Sequence, residues 1–91
     1  MDMTITGIGA VVVAQLRLAG YMESTVGQYE KTIRVLAGYA RGQGTGVYTA
    51  ALGARFALLT TSPRTGRFSV ARRFDYRRLV AVFDSYVATR G

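Results

Sequence analysis

The chain predicts an all-α fold, a small four-helix bundle, on three observations. Apolar residues Val26, Tyr29, Ile33, Leu36 and Ala40 recur at steps of three and four, which stacks them along one side of a helix. Residues that start or stop helices, Thr4 or Thr6, Gly20, Thr49 and Ser69, punctuate the chain at helix-length intervals. The run Val11 to Val13 suits a strand by local preference, but no second strand of comparable strength exists to satisfy its backbone groups. At 91 residues one domain is expected, residues 1–91, with a thin core, since so short a chain buries only about 60% of its unfolded surface.

Residues 1–5 should form a frayed lead that includes the candidate cap Thr4. The first helix is expected over 8–18, with Ile8, Val11, Val12, Leu16 and Ala19 in a stripe. Val13 and Leu18 fall outside that stripe, so the element is apolar nearly all round, and Gly20 stops it. The second helix should start between Met22 and Thr25 and end near Gln43. Thr25 and Gln28 have the spacing of a capping box, a purely structural use of both side chains. Gly27 and Gly38 each cost up to about 1 kcal/mol relative to Ala inside a helix. They are candidates for a close approach by another helix or by a DNA backbone. Gly42, Gly44 and Gly46 with Thr45 read as a flexible link.

A third helix is expected over 47–60, with Tyr48, Leu52, Phe56 and Leu59 inward, Thr49 as cap and Arg55 outward. Ser62-Pro63-Arg64-Thr65-Gly66 is a turn, because Pro disfavours helix in the residue before it and Gly accepts positive φ. Arg64 and Arg67 make that loop basic. The last helix should begin at Phe68 or Ser69, capped by Ser69, and reach about Thr89. Tyr76, Leu79, Val80, Phe83 and Val87 line one face, Arg73 and Arg77 flank it, Arg72 projects near its start, and Arg78 faces largely away. Val70, Phe74 and Ala81 lie opposite the main stripe. Either this helix is kinked, or the second strip touches another part of a longer protein.

Twelve Lys and Arg against five acidic residues give a net charge of +7, which favours a polyanionic partner, nucleic acid or an acidic membrane surface. Lys31 is the single lysine. Arg can make two parallel hydrogen bonds to a phosphate or a guanine edge, although an Arg bias also fits a GC-rich genome. Cys and His are both absent, so disulfides, thiolate metal sites and His chemistry are excluded, and no metal or cofactor is expected. Asp2, Glu23, Glu30, Asp75 and Asp84 are too scattered for a paired-carboxylate site. The glycine-rich stretch 42–46 lacks the Gly-Lys-Ser/Thr ending of a phosphate loop. The apolar run 5–19 has Asp2 and no basic residue before it, is too short to span a bilayer, and is broken by Gln15 and Arg17. A cytoplasmic protein with no membrane partner is expected.

What remains is binding, and double-stranded DNA is the best-supported target. A helix fits the major groove, and the free N–H groups at its start attract phosphate. Thr25, Gln28 and Lys31 lie along the start of the second helix, where Gln can bond adenine, Thr can meet a phosphate or a thymine methyl, and Lys adds charge. The Arg-rich start of the fourth helix supplies a second surface.

The series Gly20, Ser24, Thr25, Val26, Tyr29, Ile33 and Leu36, followed by Val47-Tyr48-Thr49, the Ser-Pro-Arg-Thr-Gly turn and the Arg-rich helix from Ser69, resembles the N-terminal core-binding domain of phage-integrase-type tyrosine recombinases. The likeness runs from Ile8 to the end. It implies a SAM-like bundle whose second and fourth helices lie in or beside the major groove of a recombination core site. Carried over by position, the contacts are Ser24, Thr25, Gln28, Lys31 and Thr32 on the second helix and Ser69, Arg72, Arg73 and Arg77 on the fourth. Tyr29 maps to packing. The resemblance also implies a separate C-terminal catalytic domain carrying the strand-cleaving Tyr and an Arg/His cluster, and other protomers as partners on DNA. These 91 residues are thus expected to bind DNA and cut nothing. Gly27 and the strip at Val70 and Phe74 depart from the pattern. The rival readings are a small basic interaction module, such as a phage or plasmid accessory protein, and a peripheral membrane binder.

Overall fold

Four helices occur in the order α1 (Ile5–Leu18), α2 (Glu23–Gly42), α3 (Ala50–Ala57) and α4 (Val70–Arg90). The structure is a computed structural model that describes residues 3–61 and 65–90. It is a small helical bundle with no strand among the described residues; two isolated backbone bridges, Thr4 with Val47 and Thr61 with Phe68, tie loops to one another. Helix α1 packs on α2 and α3 on α4, and the contact of α2 with α4 joins the two pairs.

The caps explain where the helices begin and end. Thr4 Oγ1 accepts the Gly7 N–H at 3.1 Å, Thr49 Oγ1 the Leu52 N–H at 3.1 Å, and Ser69 Oγ the Arg72 N–H at 3.2 Å. Each hydroxyl satisfies a donor that the first turn of its helix cannot pair. Helix α1 ends with Gly20 at φ 85°, where Gly20 N–H bonds Arg17 O and Tyr21 N–H bonds Leu16 O. Gly44 at φ 81° closes α2 in the same way, with Gly44 N–H on Arg41 O and Thr45 N–H on Ala40 O. This is the Schellman arrangement, and a side chain in that left-handed backbone would cost about 1–2 kcal/mol.

The core draws on all four helices. The expected α2 stripe is buried throughout, with Val26, Leu36 and Ala40 at 0% exposure, and Ile5, Ile8, Val12, Leu52, Phe56, Leu79 and Phe83 complete the interior. Phe56 stacks on Tyr76 with ring centroids 4.2 Å apart and also meets Tyr39 at 5.7 Å. Tyr48 presents its ring to Phe83 at 5.1 Å, edge to face.

Several expectations are corrected. Met3 to Ile5 is no frayed lead: Met3 O accepts the Tyr48 N–H, Ile5 N–H reaches Gly46 O, and Ile5 is buried and helical. The same bonds anchor the link at Gly46, and Thr45 Oγ1 takes the Val47 N–H, so that segment is held in place. Helix α3 is shorter than expected, because Val47 to Thr49 is extended and joined to the chain start. Leu59 lies beyond α3 and is exposed. A Cβ at Gly27 would meet nothing within 4 Å and one at Gly38 only the Arg41 side chain, so no other helix packs onto either glycine. The close approaches fall at Gly9, where a Cβ would come within 2.8 Å of Ile33 Cγ2, and at Gly53, which lies under the Tyr48 phenol. In the expected turn, Gly66 has φ 69°, while Ser62, Pro63 and Arg64 lie outside the described residues.

Candidate functional site

The acidic side chains of the described residues are all engaged. Arg17 donates to Glu23 through Nε at 3.2 Å and Nη2 at 3.1 Å and approaches Glu30 at 4.0 Å. Its hydrogen bond to Glu23, backed by that carboxylate's charge, raises the Arg17 pKa from its ordinary value. Asp75 pairs with Arg78 at 3.5 Å, and Asp84 accepts the Tyr48 hydroxyl. Burial first, then the bond and charge of Asp84, push the Tyr48 phenol above its ordinary pKa. The other described cations, Lys31, Arg72, Arg73 and Arg77 among them, have no carboxylate partner among the described residues. The positive charge of these side chains is therefore not neutralised by any described carboxylate.

Two helices combine at one groove. Lys31, Thr32 and Val35 of α2 face Ser69, Arg72 and Tyr76 at the start of α4, with Asp75 on the same wall. Ser69 caps α4 beside this groove, its hydroxyl taking the Arg72 N–H and its carbonyl the Arg73 N–H, and the remaining first-turn N–H groups have no partner within the helix. Arg72 is half-buried and donates from Nη1 to Tyr76 Oη at 2.9 Å, which holds its guanidinium against the α4 surface. Lys31 is exposed.

Ser24, Thr25 and Gln28 precede Lys31 on α2. Because the helix begins at Glu23 with Met22 as a cap that bonds through its backbone alone, Thr25 is already inside the first turn and the Thr25–Gln28 capping box does not form. Ser24 and Gln28 are exposed and Thr25 half-buried, and their side chains make no hydrogen bond among the described residues. Thr32 lies at the floor of the groove at 5% exposure with its hydroxyl donating to Gln28 O at 3.0 Å, so, against the expected contact role, little of it is open to a ligand. Its role is to pack α2 against α4.

Arg73 and Arg77 do not join this groove. They line a second depression with Val70, Phe74 and Arg78. A step of one residue along a helix turns the side chain by 100°, which is why Arg72 and Arg73 part company.

Arg78 takes a different place from the one its helical position predicts. Expected to face away, it is half-buried between helices, its guanidinium 4.3 Å from the Tyr29 ring centroid and 5.1 Å from that of Phe74. Its Nε is buried without a hydrogen-bond partner. The spacing of Asp75 to Arg78 was the available signal, since side chains three apart on a helix meet.

No family model matches the chain, and neither does any curated protein or solved structure.

Proposed function

We propose that this chain binds double-stranded DNA, as the SAM-like core-binding domain of a site-specific tyrosine recombinase of the integrase type. The observation that supports the reading best is the α2–α4 groove, which unites Lys31 and Arg72 with the capped start of α4 while Gln28 and Ser24 stand unpaired on the same helix as Lys31. In this reading Lys31, Arg72 and the N–H groups after Ser69 hold phosphates, and Gln28, with Ser24 and Thr25, meets base edges. Thr32 drops out by burial, and Arg73 and Arg77 add charge outside the groove. Burial of Tyr29 against α4 agrees with a packing role for the tyrosine of the Ser-Thr-Val-x-x-Tyr motif. DNA cleavage, integration and excision are assigned to a catalytic domain elsewhere in the full-length protein, and assembly on the core site to further protomers. Among the described residues no helix is long and apolar enough to cross a membrane.

Titration of a labelled duplex at two or more ionic strengths tests this. With about four phosphates neutralised, the log–log salt slope should be near −3.6. Lys31→Ala should weaken all sequences alike and flatten the slope by about one, whereas Gln28→Ala should change the preference among sequences. Absence of binding at low salt overturns the DNA reading; an unchanged preference profile removes Gln28 from base contact.

A further inference from the structure

The outward face of α4 carries Val70, Phe74, Arg77 and Ala81 at steps of four, three and four, all exposed, with Val70 at 71% and Phe74 at 61%. At 1.5 Å per residue this strip is about 16 Å long. Its floor is almost wholly apolar, and the polar groups around it are the guanidiniums of Arg73, Arg77 and Arg78. Arg78 is held by Asp75, but Arg73 and Arg77 have no anionic partner among the described residues.

We propose that this face docks an acidic amphipathic helix of a partner protein. Val70, Phe74 and Ala81, with the aliphatic stem of Arg77 between the last two, follow the four-three-four spacing that a second helix fills with its own knobs. Carboxylates on the flank of that helix would meet Arg73 and Arg77, which no described carboxylate neutralises. Other occupants fit less well. A second copy would bring the same arginines together across a two-fold axis and oppose two chains of charge +7. A bilayer needs a broad, bulky apolar face, and this strip narrows to Ala81. A single strand of nucleic acid stacks on successive rings, and the strip offers one, Phe74, between Val70 and Arg77.

The test is a titration of the isotopically labelled 91-residue chain, followed by amide NMR, with a synthetic helical peptide bearing Leu on one face and Glu on both flanks. A control peptide carries Lys in place of every Glu. The Glu peptide should shift the amides of Val70, Phe74, Arg77 and Ala81 and leave those of Gln28 and Lys31 in place; the Lys peptide should do neither. Phe74→Ser should weaken binding at least about tenfold, as loss of a central anchor does. Val70→Ser, which leaves the Arg78 stacking on Phe74 intact, should also weaken it. Arg73→Gln with Arg77→Gln should weaken it about fivefold and remove its salt dependence. Because the duplex site lies in the other groove, Phe74→Ser should leave duplex affinity unchanged, which keeps this proposal separable from the DNA reading. It is overturned if the Glu peptide shifts other residues, if the Lys peptide binds equally, or if neither Phe74→Ser nor Val70→Ser has an effect. It is equally overturned if Phe74 drives self-association in sedimentation, or binding to phosphatidylglycerol vesicles or oligo-dT tighter than to the peptide.

Discussion

Phe56→Ala is expected to destabilise the domain by about 3–5 kcal/mol, the usual cost of emptying an aromatic core position. Phe56 has no exposed surface, stacks on Tyr76 at 4.2 Å and touches Tyr39, so its removal leaves a void bounded by residues of α2 and α4. Those helices cannot close the gap without separating the contacts that hold α3. An eight-residue helix has no independent stability. The packing of Phe56 and Leu52 is therefore what keeps it folded. A domain of this size has about 5–14 kcal/mol in total, and each kcal/mol moves the melting temperature by about 4–8 °C. Thermal unfolding followed by circular dichroism should show a fall of at least about 12 °C. A fall of under 5 °C would mean that Phe56 is not the keystone the packing describes.

Gly53→Ala should be nearly as damaging, although Ala is the better helix former by about 1 kcal/mol. A Cβ at Gly53 would overlap the Tyr48 hydroxyl and come within 2.8 Å of its Cζ. The ring has no free direction, since Phe83 bounds it at 5.1 Å and its hydroxyl is bonded to Asp84. Forcing it aside adds about 1–3 kcal/mol of overpacking and loses a charge-assisted hydrogen bond of about 1.5–3 kcal/mol. The net expectation is a loss of about 2–4 kcal/mol, read as a lower urea midpoint at unchanged slope. Gly53→Ala as stable as the parent chain would show that the Tyr48–Asp84 contact carries no weight.

The same tyrosine sets a pH limit. Its folded pKa is raised above the unfolded value of about 10, so above that pH the native state holds the proton more tightly than the unfolded chain does. Its contribution is fully present below about pH 10 and is lost as pH rises from there toward the folded pKa. Urea midpoints measured between pH 9 and 12 should fall with a slope that Tyr48→Phe reduces.

The sequence made the local features of the fold legible. The α2 stripe, the caps Thr49 and Ser69, the stop at Gly20 and the inner face of α4 were readable, and the first cap was narrowed to Thr4 or Thr6, because periodicity and capping are set by residues within a turn or two of each other. What was hidden is non-local. Nothing near Met3 in the chain indicates that it pairs with Tyr48, and nothing near Gly9 or Gly53 indicates which side chain arrives above it. Among the candidate site residues, Lys31 and Arg72 converge, which the shared groove between α2 and α4 permits. Thr32 failed because the α2 stripe is wider than its five apolar residues suggest, and a threonine that bonds its own helix backbone can join a core. Arg73 and Arg77 separated from Arg72 because charge clusters in sequence disperse around a helix.

Asp75 lies on the wall of the groove that holds Lys31 and Arg72, and its ion-pair partner Arg78 lines the neighbouring apolar strip of α4. One carboxylate–guanidinium contact thus spans the two surfaces. A ligand that drew Arg78 away on the strip side would leave Asp75 unpaired at the groove and would oppose an anion there. Linkage then requires the reverse with equal strength, so phosphate in the groove would loosen whatever occupies the strip by the same factor. The helix α4 is in this sense a thermodynamic balance beam, and Asp75→Asn would remove its pivot.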